Sequence, residues 1–93
     1  MSAIPDNFTG LVQFSANWCQ PCKVLTPVLE KFSEETGTAI HKVDVDDYPD
    51  LADQFAIRGV PTVISFKDGN VLESVSGANA AERYHQMIEK FRD

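Results

Sequence analysis

The chain has 93 residues, 43% of them hydrophobic, and a formal net charge of −6. That length and composition predict one globular domain over residues 1–93 with a single core. The acidic balance and scattered Lys and Arg exclude a basic face for nucleic acid, and no apolar run reaches the ~18 residues of a membrane span.

Residues 1–10 read as loop or a single helical turn around Pro5-Asp6-Asn7, with Ile4 and Phe8 on one apolar face. The start, Met1-Ser2-Ala3-Ile4-Pro5-Asp6, has neither the basic residues nor the apolar stretch of an export signal, which predicts a cytoplasmic location. Leu11–Ala16 is a short, mostly apolar run and predicts a buried strand. A helix follows over 22–35, with Val24, Leu25, Val28, Leu29 and Phe32 on one face and Gly37 at its end. Pro27, inside that helix, predicts a kink.

Thr38–Val45 predicts a second strand, with Ile40, Val43 and Val45 in the core. A helical crossover between two strands makes them parallel and the connection right-handed. Asp46-Asp47-Tyr48-Pro49 reads as a loop and Asp50–Phe55 as a short helix. The acids Asp44, Asp46, Asp47 and Asp50 suit a cap and a solvated loop better than a cation site. Thr62–Phe66 predicts a third strand, Asp68-Gly69 a hairpin turn, and Val71–Ser76 the returning strand. Asn79 with Glu82 has the spacing of a capping box. Ala81, Tyr84, Ile88 and Phe91 then form a helical stripe. The predicted order is β-α-β-α-β-β-α, without repeats or linkers.

Cys19 and Cys22 are the only cysteines, and only Gln20 and Pro21 separate them. Such a pair closes into a small disulfide or opens into a dithiol. Its place at a strand-to-helix junction puts it where unpaired N–H groups and the helix dipole favour a thiolate. Cys19, the more N-terminal and expected to be the more exposed, is the candidate attacking sulfur. Cys22, one turn inside, is the candidate resolving sulfur. The other common use of Cys-x-x-Cys is a zinc site, which needs about four ligands. Two cysteines with the distant His41 and His85 do not supply them, so no metal is expected.

Several further stretches join this pair in a recognisable pattern. They are Phe14-Ser15-Ala16-Asn17-Trp18-Cys19-Gln20-Pro21-Cys22-Lys23, Pro27, Val43-Asp44-Val45-Asp46, Ile57-Arg58-Gly59-Val60-Pro61-Thr62, Phe66-Lys67-Asp68-Gly69 and Gly77. From about Leu11 onward the chain resembles the thioredoxin family. The resemblance implies an α/β thioredoxin-like fold, a central mixed β-sheet flanked by helices. It also implies a cis bond before Pro61, beside the cysteines, with the Val60 backbone offered to an extended substrate. Trp18, Gln20, Pro21, Gly59 and Gly77 would border the same shallow surface. The implied activity is thiol–disulfide exchange with protein disulfides. A thioredoxin reductase-type partner would recycle the pair, and NADPH would act only through that reductase. The protein itself needs no cofactor on this reading, and a monomer is expected.

The chain departs from the family in three places. Gln13 stands where the family commonly places a buried aspartate, and Lys42 matches the lysine beside it; both are candidate tuning residues. Gln20 replaces the usual glycine between the cysteines. The strand and helix that usually precede the strand equivalent to Leu11–Ala16 are shortened or absent. That leaves the edge of Thr38–Val45 either open, inviting weak dimerisation, or covered by residues 3–8. Two other functions fit the same scaffold: an oxidant or isomerase, and a binding module that clamps a larger enzyme.

Overall fold

The computed structural model describes residues 4–91. The start of the chain that bears on export, Met1-Ser2-Ala3, lies outside the described residues. The elements run β1 (Gly10–Ser15), α1 (Gln20–Thr36), β2 (Ile40–Asp44), α2 (Pro49–Gln54), β3 (Thr62–Lys67), β4 (Asn70–Ser76) and α3 (Ala81–Glu89). This is the predicted order.

The four strands lie in the order β2-β1-β3-β4. β1 pairs parallel with β2 and antiparallel with β3, and β3 pairs antiparallel with β4, so the sheet is mixed. β1 is central and buried along its whole length. Side chains alternate across a strand. Leu11 therefore joins Leu25, Leu29, Phe32, Val63, Tyr84 and Met87 on the face covered by α1 and α3. Val12 and Phe14 join Ile4, Val43, Ile64 and Phe66 on the other face, where Leu51 of α2 and Phe55, its C-cap, pack. The same alternation turns Gln13 toward α1.

α1 starts two residues earlier than the apolar pattern indicated. Cys19 is its N-cap, and Pro21 sits in the first turn, where a missing N–H costs nothing. The helix runs through Pro27 to Thr36. It ends as predicted on Gly37, whose φ of 74° needs no Cβ and whose N–H donates to the Ser33 carbonyl at 2.8 Å. Val24 is 60% exposed rather than in the core. It lies at the margin of a stripe that Cys22, Leu25, Leu29 and Phe32 fill.

The start of α3 also differs from expectation. Its N-cap is Ala80, with no side-chain cap. Asn79 instead turns back, its Nδ2 donating to the carbonyls of Ser76 and Gly77. The backbone N–H of Asn79 donates to the Tyr84 hydroxyl at 3.2 Å. Met87 is fully buried beside Tyr84, while Ile88 and Phe91 pack at the margin. Glu73 on β4 binds Arg83 and Lys90, which ties the edge strand to α3.

β2 is an edge strand among the described residues. No described strand pairs with its outer edge. Ile4 and Phe8 lie over the face shared with Phe66, and the Phe8 carbonyl accepts the Gly69 N–H at 3.0 Å. The Phe8 ring also packs against His41 of β2, with centroids 6.0 Å apart. Ala3, also expected to help cover the edge, lies outside the described residues. Because β2 is peripheral, Ile40 and Val45 are only half-buried, and Val43 alone of the three expected core positions is fully so. No described helix is long and apolar enough to cross a membrane.

Candidate active site

The turn between β1 and α1 builds the site. The Cys19 N–H donates to the Ala16 carbonyl at 3.1 Å, which bends the chain out of the strand. Cys19 and Cys22 form a disulfide, with Cα atoms 5.3 Å apart. The Cys22 N–H donates to Cys19 Sγ at 3.2 Å. Sulfur thus occupies the place that a Ser or Asp oxygen takes at an ordinary N-cap. Among the two sulfurs only Cys19 receives this bond. Both residues are buried, at 4% and 2% exposure, so Cys19 is not distinguished by access as expected. Ala16, Val45 and Val60 pack around the pair.

Gln20 and Pro21 are exposed on the first turn of α1. The Val60–Pro61 bond is cis. Pro61 is buried and its carbonyl accepts the Gly77 N–H at 2.8 Å, so the loop before β3 and the end of β4 are joined. Gly77 has φ 79°. The Thr62 hydroxyl donates to the Gly59 carbonyl at 2.8 Å, which closes the loop below Val60. Gly59 and Val60 line a cavity of about 150 Å³ with Trp18, Val45, Ile57 and Arg58. Trp18 is 70% exposed, yet its indole Nε1 donates to Asp46 Oδ2 at 2.9 Å. Trp18, the disulfide and the Gly59–Pro61 loop are therefore brought together, as the motifs indicated.

Gln13 and Lys42 belong to a second, separate cavity of about 400 Å³, shared with Thr26, Glu30, Ser33 and Glu34. They are register partners on β1 and β2. Gln13 is 2% exposed, and its Nε2 donates to Thr26 Oγ1 at 3.2 Å. The Thr26 hydroxyl in turn donates to the Cys22 carbonyl at 2.9 Å. Lys42 is exposed and makes no ion pair among the described residues.

Sequence reasoning missed Thr26 and the anchoring role of Asp46. Thr26 lies four residues after Cys22, the spacing at which a hydroxyl reaches back to a carbonyl of its own helix. That signal was available. Nothing local pairs Asp46 with Trp18, 28 positions away. Among the described residues no three of His, Cys, Asp and Glu gather as metal ligands.

A closable cysteine pair at the head of a helix, against a mixed sheet, is the working part of a dithiol–disulfide oxidoreductase. The thioredoxin family profile matches residues 2–90. The chain is 42% identical over 85 residues to thioredoxin of Chlamydia caviae, covering 88% of this chain and 83% of that protein. It is also 42% identical over 81 residues to thioredoxin-1 of Saccharomyces cerevisiae, covering 86% and 79%. A mutant thioredoxin from Halobacterium salinarum NRC-1 superposes with a TM-score of 0.85 at 38% identity, over 95% of this chain and 77% of its own. Reduced Schistosoma mansoni thioredoxin pre-protein gives 0.83 at 36% identity, over 92% and 81%. The chain belongs to the thioredoxin family. Its activity is dithiol–disulfide exchange, with disulfide substrates and a reductase as the general partners.

Proposed function

We propose that Cys19 attacks protein disulfides and that Cys22 resolves the mixed disulfide. The Cys19 thiolate attacks one substrate sulfur, and the other leaves as a thiolate that takes a proton from water. Cys22 then loses its proton and attacks Cys19 Sγ, releasing the second substrate sulfur as a thiolate that likewise takes a proton from water. The substrate has gained two electrons and two protons, and Cys19–Cys22 is left oxidised. The carrying observation is the Cys22 N–H on Cys19 Sγ, a donor that favours negative charge on Cys19 and has no counterpart on Cys22 among the described residues.

The size of that advantage is modest. A cysteine with pKa ~8.5 is about 3% thiolate at pH 7, against about half at the ~7 of a thioredoxin-type site. The roughly 15-fold gain in population is cut about 4- to 6-fold by the lower nucleophilicity of a less basic thiolate. The larger benefit is proximity, since resolution inside one molecule avoids a second encounter.

Substrates bind as extended segments over Trp18, Gln20, Pro21, Gly59, Val60, Pro61 and Gly77, with the Val60 backbone pairing as in strand addition. Support comes from Val60 packing against the disulfide and from the cavity it shares with Trp18. Gln13 and Lys42 tune resolution. Gln13 cannot take a proton near neutral pH, so the Cys22 proton goes to water. A thioredoxin reductase-type partner restores the dithiol with electrons from NADPH, and the protein works as a cytoplasmic monomer.

The test is trapping. Cys22→Ser should accumulate a mixed disulfide with an oxidised protein such as insulin, and Cys19→Ser should not. Trapping through Cys22 in the Cys19→Ser protein instead would reverse the assignment. A reduction potential near ~−270 mV would fit a general reductant, whereas ~−180 to −120 mV would indicate an isomerase or oxidant.

A further inference from the structure

We propose that Thr26 is a positioning residue for resolution. Together with Gln13 it clamps the first turn of α1 to β1, so that Cys22 stays within reach of Cys19 when the disulfide opens. This rests on the assignment of Cys19 as attacking and Cys22 as resolving sulfur.

The clamp has two hydrogen bonds in series. Gln13 Nε2 donates to Thr26 Oγ1 at 3.2 Å, and Thr26 Oγ1 donates to the Cys22 carbonyl at 2.9 Å. A hydroxyl that reaches back to its own helix is a weak, local contact, free to turn elsewhere. Here its oxygen also accepts from Gln13, so its single proton stays committed to the Cys22 carbonyl. Gln13 is buried on the central strand, at 2% exposure. The chain of contacts therefore transmits the fixed position of β1 to the backbone of Cys22.

The direction of the bonds explains why an amide serves at position 13. An aspartate there, as in the family pattern, is only an acceptor when ionised. It would draw the Thr26 proton toward itself and away from the Cys22 carbonyl. Gln13 and Thr26 thus work as a matched neutral pair. In the dithiol state Cys22 is no longer tied covalently to Cys19, and the clamp raises the fraction of time that the sulfurs are in contact. It should speed resolution and favour the disulfide.

The experiment is single-turnover release of a preformed mixed disulfide on Cys19, with the reduction potential read alongside. Thr26→Val keeps shape and removes the hydroxyl. It should slow release about 2- to 10-fold, the effect of one neutral hydrogen bond. The potential should move positive by up to about 30 mV, which is that tenfold expressed for two electrons. Thr26→Ser should restore both. Gln13→Leu should cost no more than Thr26→Val, and the double variant should be no slower than Thr26→Val alone, because Gln13 acts through Thr26. Normal release and potential in Thr26→Val would overturn the proposal, and so would fully additive effects. The attack step, measured as adduct formation in the Cys22→Ser background, should be unchanged by Thr26→Val. An equal loss there would show a general effect on the helix and also overturn it. Absence of any Cys19 adduct in Cys22→Ser would instead sink the underlying assignment, a separately readable outcome. Should Thr26→Val fold poorly, Thr26→Ala with the Ser rescue carries the same comparison.

Discussion

Trp18 and Asp46 meet across the active-site surface through a hydrogen bond of 2.9 Å from the indole Nε1 to Oδ2. The ring is 70% exposed, so this bond holds a large apolar surface in one orientation beside the Val60 cavity. An aromatic ring fixed before substrate arrives loses less entropy on binding. Asp46→Ala should therefore raise KM for a protein disulfide about 2- to 10-fold, the range for one such bond, with little change in kcat. Steady-state kinetics with insulin, and the tryptophan emission of the free protein, check this. A kcat loss at constant KM would count against an orienting role.

Gly77 should be intolerant of a side chain for a backbone reason. Its φ is 79°, and a Cβ would meet no neighbour within 4 Å, so any cost comes from conformation and not from a clash. A non-glycine residue in that region costs on the order of 1–2 kcal/mol. Gly77→Ala should lower stability by about that amount. It should also weaken substrate turnover, because a backbone shift at position 77 moves the N–H that donates to the Pro61 carbonyl. Urea unfolding and insulin reduction read the two effects; an unchanged midpoint and rate would show that the loop relaxes freely.

Glu73 should make part of the stability dependent on acid. Its hydrogen bond with Arg83, then its ion pair with Lys90, holds its carboxyl below the ordinary 4.5 despite burial acting the other way. A carboxyl whose folded pKa is depressed stabilises the fold above the unfolded value and loses that effect as pH falls through the folded one. Glu73→Gln should lower the melting temperature at pH 7. The difference from the parent should shrink from about pH 4.5 downward. Arg83 and Lys90 are 34% and 58% exposed, so solvent and salt screen the pairs. The cost should be at most about 1 kcal/mol and smaller at high salt. Melting curves against pH would show an unchanging gap if Glu73 acts only through packing.

Gln13→Asp restores the acid of the family pattern at the cost of the clamp. Between pH 6 and 8, resolution in the parent should follow the ionisation of the cysteines, with no carboxyl contributing. The variant should show altered rate and pH dependence in single-turnover resolution. An unchanged profile over that range would mean that position 13 has no kinetic role and that Gln13 is simply a satisfied buried amide.

Much of the fold was legible because its patterns are local. The run Leu11–Ala16, the Thr62–Phe66 strand and the Asp68-Gly69 turn carry their own periodicity and turn chemistry, and they appear nearly where expected. Cys19, Cys22, Trp18 and Pro61 were legible as a motif; in the structure Val60, which precedes Pro61, packs against the cysteine pair and shares a cavity with Trp18. Misreadings came where two local rules compete. Asn79 had the spacing of a cap, but the nearby carbonyls of Ser76 and Gly77 claim its amide. Val24 fitted the apolar stripe, but the sheet covers only part of that face.

The order of strands and helices and the cysteine pair could be read from spacing along the chain, while the thiol chemistry came from the resemblance of the wider motif to the thioredoxin family. The packed fold is what lets Asp46 hold Trp18 and Gln13 reach Thr26, and what sets Ile4 and Phe8 over a sheet face with no described strand flanking β2. Such pairings depend on which distant groups the packed core brings within about 3 Å, the reach of a hydrogen bond, and no local periodicity encodes that distance.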